Sequence, residues 1–177
     1  MIDAERELIE AARAGDLDSF GKLCERYYAP MVAVAYNVLR DHQLAEDAAQ
    51  EAFARGLVSL RRLQEPAKFA AWLAQICRNV AVDIARNRPP HIEAIDVSDA
   101  GDRDSDESTK RVVREAIERL PAGMREVVIL RYYNGCSYEQ ISAVLGLSKM
   151  SINGRLTRAK RKLARDLRRK GVLEDMP

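Results

Sequence analysis

An all-α protein made of two small helical domains is the fold the sequence predicts, and three observations predict it. Valine and isoleucine recur at helical spacings rather than in alternation, and no Asn-Gly or Asp-Gly turn separates two alternating apolar runs. An acidic stretch from Pro89, with two prolines, a glycine and few large apolar residues, divides two blocks of helical periodicity. At 177 residues the chain suffices for one ordinary domain or two small ones with modest cores.

In the first block, Asp3 can cap a helix that ends before Gly15, and Asp18 or Ser19 can start a second through Phe20, Leu23 and Tyr27. Pro30 either kinks that helix or restarts it. Asp41 is the expected cap of a third helix running to about Leu60, followed by a loop over Arg61 to Glu65. Pro66 suits the first turn of a fourth helix, which carries Phe69, Trp72, Leu73, Ile76, Val80 and Ile84 at spacings of three and four and ends near Asn87.

Residues 89–107 read as a flexible linker, because they cannot bury enough surface to offset their ordering entropy. An ordered loop packed on one domain, or a tether that orders on a partner, is the alternative. Beyond it, Ser108 can cap a helix with Val112, Val113, Ala116, Ile117 and Leu120. Pro121 opens another with Val127, Val128, Leu130 and Tyr132, which Gly135 stops. Ser137 and Gln140 form a capping box for a short helix ending at Gly146, and Ser148 caps a long last helix.

Charge is segregated although the formal net charge is only +2. Lys149 to Lys170 holds ten Lys or Arg residues against Asp166, whereas Glu93 to Glu107 holds seven acids against Arg103. The cysteines Cys24, Cys77 and Cys136 are far apart, so neither a disulfide framework nor a metal site is expected. Met1 to Ala14 is charged throughout, unlike a signal peptide, and no apolar run approaches the roughly twenty residues that span a bilayer. The expectation is a cytoplasmic protein with reduced thiols.

The short helix from Tyr138, the Leu145-Gly146-Leu147-Ser148 turn and the basic helix after it form a helix-turn-helix pattern, whose second helix enters the major groove of DNA. Ile152, Leu156, Ala159 and Leu163 make its buried stripe. The opposite face presents Met150, Ser151, Gly154, Arg155, Thr157, Arg158 and Arg161, flanked by Lys149 and Asn153. Arg155, Arg158 and Asn153 are candidate base readers, since Arg bridges two acceptors of guanine and Asn pairs with adenine. Lys160, Lys162, Arg165 and Arg168 lie where phosphate contact is expected. Gly154 either admits the DNA backbone closely or has no special role.

In the third helix Glu46, Asp47, Gln50 and Glu51 share a polar arc, which on periodicity alone is a solvated face. The fourth helix is basic, with Lys68, Arg78, Arg86 and Arg88, and mixes Phe69 and Trp72 among aliphatics. Such a mixture suits single-stranded bases, but its spacing equally suits a core. Clustered carboxylates or a nucleophile and base at a plausible site are lacking, so no catalytic residue, cofactor or small-molecule substrate is expected.

The strings FGKLCERYY from Phe20, LAEDAAQEAF from Leu44 and FAAWLAQICRNVAVDIAR from Phe69 resemble the second conserved region of extracytoplasmic-function sigma factors. LPAGMREVVILRYYNGCSYEQISAVLGLS from Leu120, with INGRLTRAKRKL, resembles their fourth. The resemblance implies an alternative sigma factor, a non-enzymatic subunit that binds core RNA polymerase, directs it to promoter DNA and assists melting. It implies domains over residues 1–88 and 108–177, the linker threading toward the active-site cleft. Glu46, Asp47, Gln50 and Glu51 would dock on the polymerase clamp coiled coil, and the second domain on the flap. Arg61, Arg62, Leu63, Gln64 and Lys68 would contact the minus-ten element, with Asn79, Asp83 and Arg86 matching the family's Asn-x-x-x-Asp-x-x-Arg pattern. There a base is flipped out of the non-template strand, and Trp72 would support the pocket. Lys149, Met150, Ser151, Asn153, Arg155, Arg158, Arg161 and Lys162 would meet the minus-thirty-five duplex. Family habit adds an anti-sigma partner, which could hold the protein at the membrane. The segment from Met150 to Gly154 departs from the family's usual threonine, valine, lysine and serine, so no relative's minus-thirty-five sequence transfers.

Overall fold

The computed structural model describes residues 2–87 and 105–173. The acidic stretch expected as a linker lies, up to residue 104, outside the described residues, as do Arg88 and the side chain of Asp3. Among the described residues there are eight α-helices and no strand.

Helix α1 (Ile2–Ala14) stops at Gly15, whose φ of 106° turns the chain. That turn leaves Asp16 extended, and Asp16, rather than the expected Asp18 or Ser19, caps α2 (Leu17–Leu39). Its carboxylate accepts from the Asp18 N–H at 3.1 Å and from the Ser19 hydroxyl at 2.5 Å. Helix α2 runs unbroken through Pro30, so it does not restart there. Pro30 and residues 31–35 are all buried, and that packing holds the helix together across the missing donor.

Asp41 caps α3 (His42–Ser59) as expected, accepting from the Leu44 N–H at 3.1 Å. The buried face of α3 is Ala45, Ala48, Ala49, Ala52, Phe53 and Gly56, and its four alanines and one glycine are small enough to bring it close to α2 and α4. A Cβ at Gly56 would sit 3.2 Å from the Leu73 side chain. Short 3-10 turns over Leu60–Arg62 and Pro66–Lys68 lead into α4 (Phe69–Asn87). Helices α1 to α4 enclose a core centred on Leu23, Met31, Val34, Phe69, Leu73 and Val80.

Helix α5 (Ser105–Glu118) begins three residues before the expected cap at Ser108. Helix α6 (Ala122–Val128) follows Pro121 and passes into a π-helical turn, Ile129–Tyr133. The wider turn swings Tyr132 and Tyr133 out to solvent while Leu130 stays buried, so Tyr132 leaves the apolar stripe that sequence spacing assigned to it. Helix α7 (Tyr138–Leu145) starts with the Ser137–Gln140 capping box and ends at Gly146, φ 64°. Ser148 caps α8 (Lys149–Arg169), whose Ile152, Leu156 and Ala159 are buried beside half-buried Leu163. Ile117, Leu120, Val127, Leu130, Ile141, Ile152 and Leu156 form a second core.

The two cores touch. Val144 of α7 belongs to the first and Ala33 of α2 to the second, with α7 packed on α4 and α6 on α2.

Candidate nucleic-acid and polymerase interfaces

The helix-turn-helix is held by local chemistry. The Ser142 hydroxyl donates to the Leu147 carbonyl at 2.6 Å, closing the turn between α7 and α8. Lys149 at the start of α8 pairs with Glu139 of α7. Lys149, Met150, Ser151, Asn153, Arg158 and Arg161 are exposed along the first turns, with Lys162 half-buried. Met150 is 85% exposed, an apolar side chain offered to solvent at the helix start. The Tyr138 hydroxyl lies 3.5 Å from the Asn153 amide oxygen, and the Arg131 guanidinium sits over the Tyr138 ring.

Arg155 is placed differently from the other expected readers. It is half-buried, its Nη1 lies 3.5 Å from the Gly123 carbonyl, and a Cβ at Gly123 would come within 3.0 Å of it. The missing side chain at Gly123 is therefore the seat in which Arg155 rests against α6. Arg158 instead lies along the helix surface over Gly154.

On the other half, Asp47, Gln50 and Glu51 are exposed and Glu46 is half-buried, with the His42 ring 3.7 Å away. A groove between α3 and α4 is lined by Asp41, Asp47, Glu51, Arg55, Asp83 and Asn87. Arg55 spans it, 2.7 Å from Glu51 and 4.0 Å from Asp83. The acidic arc and one expected minus-ten residue thus share a cation. Asn79 is exposed and accepts from the Gln75 amide at 2.8 Å, and Arg86 is exposed a further two turns along.

Before α4, Arg61, Arg62 and Gln64 are exposed and Lys68 pairs with Glu65 at 2.7 Å. Leu63 is only 5% exposed and anchors this loop in the core, so it does not line a surface with its neighbours. Trp72 is half-buried, its ring 5.9 Å from that of fully buried Phe69. Both the core and the pocket-supporting readings of Trp72 fit that position.

Sequence reasoning overlooked the contact between the halves. Arg125 and Glu126 of α6 are 4% and 7% exposed, although charged pairs of this kind ordinarily face water. Arg125 donates to the Leu120 carbonyl at 2.9 Å, to the Asn37 side chain at 3.1 Å and to the Asn37 carbonyl at 3.2 Å. Its burial lowers the guanidinium below the usual arginine range, opposed by the nearby Tyr36 and Glu126. Glu126 pairs with Arg78 of α4 at 3.1 Å. Glu118 of α5 accepts from the Tyr36 hydroxyl at 3.0 Å and pairs with Arg40. The one available signal was an Arg-Glu pair set directly against Val127 and Val128.

Two family models match the chain in succession: sigma-70 region 2 over residues 23–89 and sigma-70 region 4 over residues 110–163. The probable RNA polymerase sigma factor RfaY of Xanthomonas campestris is 34% identical over 168 residues, spanning 88% of this chain and 42% of RfaY. The chain therefore spans less than half of that relative's length. The RNA polymerase sigma factor CarQ of Myxococcus xanthus is 30% identical over 162 residues, spanning 88% of this chain and 92% of CarQ. The solved structure of CnrH in complex with the cytosolic domain of CnrY is 27% identical, with a TM-score of 0.62 over 93% of this chain and 97% of that one. The chain belongs to the sigma-70 family of RNA polymerase sigma factors, in its extracytoplasmic-function group. It is a transcription-initiation factor with helix-turn-helix DNA-binding character, and no helix among the described residues is long and apolar enough to cross a membrane.

Proposed function

We propose that this chain is an alternative sigma factor that binds core RNA polymerase, directs it to its own set of promoters and assists strand opening without a catalytic site of its own. The observation that carries this reading is the succession of region 2 and region 4 on one chain, each a folded helical unit. Residues 1–88 form the polymerase-binding and minus-ten domain, residues 89–107 the acidic linker and residues 108–177 the minus-thirty-five domain.

In this reading Glu46, Asp47, Gln50 and Glu51 meet the clamp coiled coil, and the exposure of Asp47, Gln50 and Glu51 along α3 beside half-buried Glu46 supports it. Arg61, Arg62, Gln64 and Lys68, with Asn79, Asp83 and Arg86, receive the opened non-template strand, while Leu63 sets the loop's position from beneath. Asn153 and Arg158 read duplex bases from the first turns of α8, and Arg161 and Lys162 follow the phosphates. Polymerase fixes the separation of the two domains, so two modest contacts act as one specific one. The protein works in the cytoplasm and is restrained by a partner of the anti-sigma class; among its structural relatives, CnrH was solved in complex with a partner, the cytosolic domain of CnrY.

Mixing the chain with core polymerase and footprinting the DNA upstream of its own coding region tests this reading. Protection of two separate elements that requires core polymerase is expected. Protection by the chain alone would instead indicate a self-sufficient helix-turn-helix regulator.

A further inference from the structure

The contact between the halves joins two charges that belong to different tasks. Arg78 lies on α4 beside Asn79 and two turns before Arg86, whereas Glu126 lies on α6 of the duplex-binding half. Their atoms are 3.1 Å apart, with the Glu126 side chain 9% exposed and that of Arg78 33% exposed.

Under the function proposed above, this arrangement does not persist once both promoter elements are held. Elements named for positions minus ten and minus thirty-five lie about 25 base pairs apart, roughly 85 Å of duplex at 3.4 Å per base pair. The halves therefore separate when both elements are held, and the Arg78–Glu126 pair is broken. Separation returns a desolvated carboxylate to water, which offsets part of the lost attraction. It leaves the Arg78 guanidinium on the helix proposed to face the opened strand, without the anionic oxygen its Nη1 had held.

We propose that Arg78 is a further nucleic-acid contact of this chain, a phosphate-binding side chain that Glu126 occupies in the closed form as a phosphate oxygen would. A guanidinium pairs with carboxylate and phosphate through the same planar donors, so one anion substitutes for the other. The inference rests on the function proposed above and adds a residue that the Asn-x-x-x-Asp-x-x-Arg pattern passes over.

The test uses the full-length chain and a fluorescein-labelled single-stranded DNA of mixed sequence, with binding followed by anisotropy across a salt series. Asn37→Ala loosens the contact without changing charge, and Glu126→Gln frees Arg78 directly. Each should bind the strand about threefold more tightly, the scale of one partly exposed ion pair. Adding Arg78→Gln to either should abolish the gain and lower the salt slope by about 0.7, one phosphate's worth on a single strand. Arg111→Gln on α5 removes the same charge elsewhere and should leave the gain standing.

A gain that survives Arg78→Gln, or no gain in either opened variant, would overturn the inference. So would loss of core-polymerase binding in Arg78→Gln with strand binding intact, because it would assign the side chain to polymerase. Should Glu126→Gln fail to fold by circular dichroism, Asn37→Ala decides alone. Failure of the proposed function looks different: core-dependent footprints would be absent whatever stands at residue 78.

Discussion

Arg125 grips Asn37 twice, donating from Nε to its side-chain oxygen at 3.1 Å and from Nη2 to its main-chain carbonyl at 3.2 Å. One buried guanidinium thereby binds α6 to α2 and also satisfies the Leu120 carbonyl between α5 and α6. Removing it strands four acceptors, the Glu118 carbonyl among them, in a largely buried seam. Arg125→Ala should cost about 2–4 kcal/mol in urea unfolding, and Arg125→Lys should recover little, because an ammonium cannot span the same fork. Small-angle scattering should show the variant more extended than the wild type, and an unchanged radius of gyration would show that Arg125 does not hold the halves together.

The two arginines of the early α8 face should separate in their effects. Arg158 lies on the exposed surface over Gly154, so Arg158→Ala should weaken binding to the preferred minus-thirty-five duplex by about 1–3 kcal/mol while leaving random duplex almost unaffected. Arg155 is committed to the Gly123 carbonyl, so Arg155→Ala should weaken all duplexes alike, and Gly123→Ala should reproduce that loss by displacing the side chain. Competition binding with matched and scrambled duplexes measures both.

The acidic arc of α3 offers a test of polymerase docking. Exposed charges tolerate reversal within about half a kcal/mol of stability, whereas reversal against a complementary partner costs several kcal/mol of affinity. Asp47→Lys should leave the circular dichroism spectrum unchanged and abolish co-sedimentation with core polymerase. Binding that persists would make the arc ordinary surface.

Thiol chemistry gives a prediction with a definite sign. Burial pushes the Cys77 thiol up from 9.0 to about 12. The folded chain therefore holds this proton more tightly than the unfolded chain, a stabilisation complete below about pH 9 and lost as pH rises through about 12. At about pH 8 a thiol reagent should modify half-buried Cys24 first and reach Cys77 only as fast as the protein opens. Peptide mapping by mass spectrometry over a time course would show the order.

Local chemistry was legible in the sequence wherever a side chain acts on its own neighbours. Asp41, the Ser137–Gln140 box, Gly146 and Ser148 end or start helices where spacing and capping place them, and the stripe from Ile152 is buried as its period requires. Partners distant in the chain were not legible. Pro30 argues locally for a break, but packing on both sides of α2 overrides it. Asp16 was passed over because its capping geometry depends on the left-handed turn at Gly15. Leu63 looked like part of a surface loop because one leucine among polar residues carries no period to reveal its inward direction. The Arg125 and Glu126 contacts span 88 and 48 residues, beyond the reach of any local pattern.

The close seating of Gly56 against Leu73 leaves α3 and α4 little freedom to slide, and Arg55 ties their outer edges together. Two helices so joined move as a single lever. If, as proposed above, polymerase grasps α3 and the non-template strand lies on α4, a displacement of the enzyme's clamp would be passed to the DNA through an arm one helix pair wide. A bulky side chain at residue 56 would put slack into that arm, and promoter opening would become less responsive to the clamp even though every surface residue remained in place.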